Sequence, residues 1–126
     1  MTGVDVDCNM ETVERSIKQA GIGLFNGMSP KVHPKSLARI LSQIRFGSTL
    51  NIAASLASPF RPTYALRGVY SEGIISKVSE VMKEIGYERG MIVHGFDFGK
   101  QKGMDELSNI GESIVHEFFP DDSEPG

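Results

Sequence analysis

The chain has 126 residues, 40% hydrophobic and 23% charged. These are ordinary values for a globular protein, and the chain is long enough to bury roughly two-thirds of its unfolded surface. The formal net charge of −3 argues against nucleic acid or an anionic membrane as partner, because both call for a basic surface. No apolar run reaches the ~18 residues of a membrane span, and the lone Cys8 excludes an internal disulfide and suits a reducing, cytoplasmic setting.

Residues 1–8 read as an entry arm. Asn9 is a good N-cap, and Met10, Val13, Ile17 and Ala20 follow at helical spacing until Gly21 stops the helix. Residues 22–25 form a short apolar run, a strand or a loop entering the core. Gly27, Ser29 and Pro30 mark a loop. Pro34 suits the first turn of a second helix with Leu37, Ile40, Leu41 and Ile44 on one face, ended by Gly47. Ser48 can cap a short third helix to Leu56, rich in small and apolar residues and expected to be largely buried. Ser58, Pro59 and Pro62 form the loop after it.

The second half is more regular. Residues 65–70 predict a strand. Ser71 is placed to cap a helix bearing Ile74, Ile75, Val78, Val81, Met82 and Ile85, with Gly86 as its stop. Residues 91–94 predict a second strand. The resulting βαβ unit requires parallel strands and a right-handed crossover. A polar, glycine-flanked stretch over 95–111 leads to a last strand over 113–119, and the acidic tail 120–126 is expected to be mobile. The whole predicts one α/β domain over residues 1–126, three-layered, with a mainly parallel sheet and flanking helices. Ligands in such sheets bind beyond the carboxyl ends of the strands, which directs attention to residues 95–111.

That stretch holds Asp105 and Glu106 next to Gly103 and Met104. Adjacent carboxylates suit Mg²⁺, which is commonly held by one or two carboxylates plus substrate phosphates. Equally, Asp105 can cap a short helix while Glu106 is solvated. His94 ends a predicted buried strand and either lines a site or is a satisfied core histidine. The three histidines lack metal-ligand spacing. Arg39 and Arg45 suit a planar carboxylate or a phosphate, or form a solvated helix face. Asn51 can bond a ligand or its own helix. Neither a Walker loop nor a nucleophile elbow is present.

Taken in order, several segments resemble one family. They are Gly21-Ile-Gly-Leu-Phe25, His33-Pro34, Thr49-Leu-Asn51 and Leu56 with Ser58-Pro59. Gly68-Val-Tyr70, Ile85-Gly86, Glu88-Arg89, Val93-His94-Gly95 and Gly103-Met-Asp-Glu106 follow. The order is similar to the middle of the anthranilate phosphoribosyltransferase family, glycosyltransferases related to pyrimidine nucleoside phosphorylases. The likeness runs over residues 4–118.

The resemblance implies a partial phosphoribosyltransferase catalytic domain. The implied reaction is phosphoribosyl transfer from phosphoribosyl pyrophosphate to anthranilate or a related aromatic amine, as in tryptophan biosynthesis. It implies Mg²⁺ at Asp105 and Glu106, an acceptor carboxylate met by Arg39, and Arg45 at a second family arginine. Ala54-Ser-Leu-Ala-Ser-Pro59 stands where the family has Gly-Pro-Leu-Thr-Asn-Pro, and residues 96–101 are extra before the acidic pair. The family's Gly-Thr-Gly-Gly-Asp phosphate loop and its helical domain have no counterpart here. The chain is therefore expected to be an excised piece or a truncated relative, inactive or nearly so alone. The alternative is a non-catalytic binding or assembly module of the same descent. It would form a homo-oligomer, complete a partner chain that carries the phosphate loop, or bind nucleic acid.

Overall fold

The computed structural model describes residues 3–27, 29–32, 49–56, 60 and 62–119. The chain forms two compact units, Met1–Arg61 and Pro62–Gly126. The helix expected after Pro34 and the acidic tail lie outside the described residues.

In the first unit, helix α1 spans Met10–Ala20. Its N-cap is Asn9, whose Oδ1 accepts from the Thr12 amide at 2.9 Å and from the Thr12 hydroxyl at 2.7 Å. Left-handed Gly21 (φ 74°) ends it, with its amide on the Ile17 carbonyl, a conformation that glycine adopts without steric cost. Of the predicted apolar face, Val13 is fully buried, whereas Ile17 stays exposed. The apolar run 22–25 is irregular chain, not a strand. It folds back along α1, with the Ser16 hydroxyl donating to the Ile22 carbonyl at 2.8 Å and Gly23 against the side chains of Val13 and Ile17. The Asn26 amide then bonds the Val6 carbonyl at 2.8 Å, tying the entry arm to this segment. Helix α2 covers Thr49–Leu56, and of its described side chains Ala54 and Leu56 are buried.

The second unit is a four-stranded mixed sheet with one helix packed on it. Strand β1 is Tyr64–Gly68, β2 is Arg89–Phe96, β3 is Gly103–Met104 and β4 is Ser113–Phe118. The α/β class is as expected, and β1 pairs with β2 in parallel, Leu66 opposite Met91 and Gly68 opposite Val93. The other two pairings, β2 with β3 and β2 with β4, are antiparallel. The first follows from the tight turn that joins β2 to β3, whereas β4 runs in the same sense as β3 and is reached by the loop that carries the chain past β2 to its other edge.

Helix α3, Ile75–Ile85, is that crossover. Ser71 does not cap it through its side chain. A 3₁₀ turn, Glu72–Ile74, intervenes, its first bond running from the Ile74 amide to the Ser71 carbonyl. Such turns satisfy a helix start with backbone alone. Ile75, Val78 and Met82 form the buried stripe, while Val81 and Ile85 stay exposed. Left-handed Gly86 (φ 104°) bonds the Lys83 carbonyl and the Tyr87 amide bonds that of Met82, the paired bonds of a Schellman turn.

Strand alternation divides the sheet into two faces. Gly90, Ile92 and Phe118 look toward α3: a Cβ on Gly90 would meet the Phe118 ring and Met82 Cε. Ile92 and Met82 are 0% exposed. Tyr64, Leu66 and Gly68 share the opposite face with Met91, Gly95 and Val115, by register.

Candidate functional site

Strand β2 runs past the predicted 91–94 to Phe96 and turns into β3 through residues 97–102. Asp97 builds that turn. Its Oδ1 accepts from the amides of Gln101 (2.7 Å) and Lys102 (2.8 Å), and its own amide bonds the Lys102 carbonyl at 3.0 Å. Gly99 and Lys100 take left-handed φ values of 85° and 57°. The Lys100 ammonium closes the turn on Glu112 at 2.6 Å. The hydrogen bond and charge of Glu112 raise the Lys100 pKa. Residues 96–101 are therefore the end of a strand and a hairpin turn.

From β3 the chain enters the acidic loop, and Asp105 and Glu106 are both exposed. The loop lies back on the sheet. The Asp105 carbonyl sits where a Cβ of Gly68 would be, and the Glu106 carbonyl sits where one of Gly95 would be. Gly68 ends β1 and Gly95 is the penultimate residue of β2. The loop thus crosses the carboxyl ends of the two parallel strands, where ligands bind in open α/β sheets. Ser108 fastens it: its hydroxyl donates to the Phe96 carbonyl at 2.6 Å and its amide donates to the Ser113 hydroxyl at 2.8 Å.

His94 is 3% exposed. Its Nδ1 lies 2.7 Å from the Val69 carbonyl, and because a carbonyl only accepts, Nδ1 carries the proton. The ring meets Phe96 edge-on with centroids 4.8 Å apart, and Gly103 lies directly against Cε1 and Nε2. His94 thereby ties the segment after β1 to the start of the acidic loop and turns no open face to solvent. Among the expected site residues, the structure gathers Asp105, Glu106 and His94 around one strand end. Asn51 lies in α2 of the first unit, and Arg39 and Arg45 lie outside the described residues.

Sequence reasoning missed two features. One is the pair of glycines beneath the loop, which a glycine inside an apolar strand can signal. The other is Arg67 on β1. Burial pulls its guanidinium pKa down, opposed by the charges of Tyr87 and Asp105, so Arg67 is in electrostatic reach of the acidic loop.

Among the described residues no group of three or more His, Cys, Asp or Glu side chains is gathered for a metal. Neither acidic-loop carboxylate is held in a salt bridge among those residues. Two exposed, adjacent carboxylates fit an ion that completes its shell with water and phosphate oxygens, as Mg²⁺ does. They do not fit a cage built wholly of protein ligands. No described helix is long and apolar enough to cross a membrane.

An α/β sheet with an acidic loop over the ends of its parallel strands is the setting in which the family comparison is decisive. The family model described as "Glycosyl transferase family, a/b domain" matches residues 1–124, and the chain belongs to that family. Its relatives include proteins named anthranilate phosphoribosyltransferase. That of Geobacter sp. (strain M21) is 36% identical over 121 residues, 94% of this chain and 32% of the relative. That of Methanothermobacter marburgensis is 32% identical over 122 residues, 95% of this chain and 34% of the relative. That of Methanopyrus kandleri is 32% identical over 126 residues, 97% and 34% respectively. The chain thus spans about a third of the length of the relatives it matches.

Proposed function

We propose that the chain supplies the metal-binding part of a transferase that moves phosphoribose from phosphoribosyl pyrophosphate to the amine of anthranilate or a related aromatic acid. In the reaction the bond from ribose C1 to the pyrophosphate oxygen breaks, and its electron pair leaves with pyrophosphate. The amine nitrogen forms the new bond to C1 and then loses a proton. Asp105 and Glu106 would hold Mg²⁺, which neutralises charge on the leaving pyrophosphate. The observation that carries this reading is the acidic loop seated over the ends of β1 and β2, in a chain 94% of which aligns with about a third of a protein named as such a transferase.

The chain's own residues have separable roles. Asp105 and Glu106 stay accessible on a backbone pinned by Ser108. His94 acts from beneath, bracing the Gly103 end of the loop. By their place in the family pattern, Arg39 receives the acceptor carboxylate, with Arg45 and Asn51 nearby in sequence. Arginine suits that task because its planar fork matches a carboxylate. The charge of the reactants makes positioning and electrostatics the main sources of rate.

The test is Asp105→Asn in the full-length protein. Removing one carboxylate from the ion should lower kcat/KM by about 10²–10³-fold, the equivalent of several kcal/mol of charge stabilisation. The melting temperature should stay unchanged, because the side chain is exposed. Wild-type turnover in this variant at limiting Mg²⁺ would refute the site.

A further inference from the structure

Gly68 and Gly95 differ from Gly90 of β2 in what they face. A Cβ on Gly68 would fall on the Asp105 carbonyl group, and one on Gly95 on the Glu106 carbonyl and within 2.9 Å of the Ser108 amide. Both obstacles are backbone, which cannot swing aside as a side-chain tip can. Neither glycine has a left-handed φ, so the fold uses the missing Cβ and not glycine's conformational freedom. A Cβ on Gly90 would instead meet the side chains of Phe118 and Met82 on the opposite face.

We propose that Gly68 and Gly95 are positioning residues for the carboxylates of Asp105 and Glu106, setting how close to the strand ends a divalent cation is held. The inference rests on the metal-binding reading above. The two contacts fall beneath consecutive residues, Asp105 and Glu106, so the backbone of the acidic pair itself rests on the sheet. The Ser108 bonds hold its far side, and the His94 ring against Gly103 holds its near side. A methyl at either glycine must lift the loop by on the order of 1 Å to restore van der Waals separation. Displacements of that size are costly wherever ligands must converge on one ion.

The experiment is a Mn²⁺ titration of the full chain followed by electron paramagnetic resonance, with circular dichroism melts of every variant. Wild type should bind Mn²⁺ and Asp105→Asn should lose it. Gly68→Ala and Gly95→Ala should bind about 10–100-fold more weakly, the range seen when groups supporting metal ligands are removed. Gly90→Ala should melt lower yet bind like wild type per folded molecule. Where the first two variants do not fold, Ser108→Ala carries the test, because it loosens the same loop without a clash. It should weaken binding several-fold.

Wild-type affinity in Gly68→Ala and Gly95→Ala, or in Ser108→Ala where those do not fold, with binding lost in Asp105→Asn, overturns the positioning role alone. Equal weakening by Gly90→Ala also overturns it, since any packing defect would then do the same. Unchanged binding in Asp105→Asn removes the metal site itself, and the positioning role with it.

Discussion

The two faces of the second-unit sheet are built by different means. Toward α3 the contact is between side chains: Ile92, Val78, Met82 and Phe118 exclude water, and Gly90 admits the Phe118 ring. On the opposite face, at the carboxyl end of the parallel strands, the contact is backbone on backbone, with Gly68 and Gly95 beneath the acidic loop. The first arrangement draws its free energy from apolar burial. The second draws its accuracy from steric limits and from the Ser108 hydrogen bonds to Phe96 and Ser113. One face can therefore be weakened in stability while the other keeps its geometry.

The largest effect that would sharpen this contrast is Met82→Ala. Met82 is wholly buried between α3 and β2, and truncation at such a site costs about 2–5 kcal/mol. Denaturant melts should show that loss, while Mn²⁺ affinity per folded molecule holds at the wild-type value. A parallel fall in affinity would mean the two faces are coupled through β2.

Gly90→Ala should cost less, about 1–3 kcal/mol for overpacking against the Phe118 ring. The ring can tilt to take up part of the clash, so a smaller melting shift than that of Met82→Ala is expected. A larger shift would show that Phe118 is locked, with Lys83 poised 5.7 Å over its ring.

The smallest effect belongs to the hairpin that precedes the loop. Lys100 and Glu112 are both exposed, and such pairs contribute little. The Lys100 pKa is raised above its ordinary value of 10.5. Its contribution to stability is therefore fully present below that value and is lost as pH rises through the raised one. Glu112→Gln should lower the melting temperature slightly and evenly from neutral to moderately alkaline pH, and the gap from wild type should close only in strongly alkaline solution. A gap that closes near neutrality would assign the effect to another group.

Much of this was legible in the residues. The Asn9 and Gly21 ends of α1, the Gly86 stop of α3 and the parallel β1–β2 pairing all follow from local chemistry and the βαβ rule. The acidic pair was singled out by residue type and by its place after β2. The ends of β2 were not legible. Gly90 and Gly95 lower strand propensity locally, and only neighbours folded against them show why they are strand residues. Nor was the start of α3, because a side-chain cap and a 3₁₀ turn both suit Ser71. The direction of β4 was hidden for a similar reason: a polar connection does not announce whether the chain turns back or crosses over.

The sequence by itself therefore determined the elements whose signals act within a few residues: caps, stops, apolar periodicity and the crossover helix. It also determined the chemical character of the loop, since two adjacent carboxylates are hard-oxygen donors wherever they lie. Only the tertiary structure decided where that loop rests and what holds it. The contacts of Asp105 with Gly68 and of Glu106 with Gly95 join residues 37 and 11 positions apart, and no local pattern encodes such a pairing. A missing Cβ acquires meaning only when another segment occupies its place.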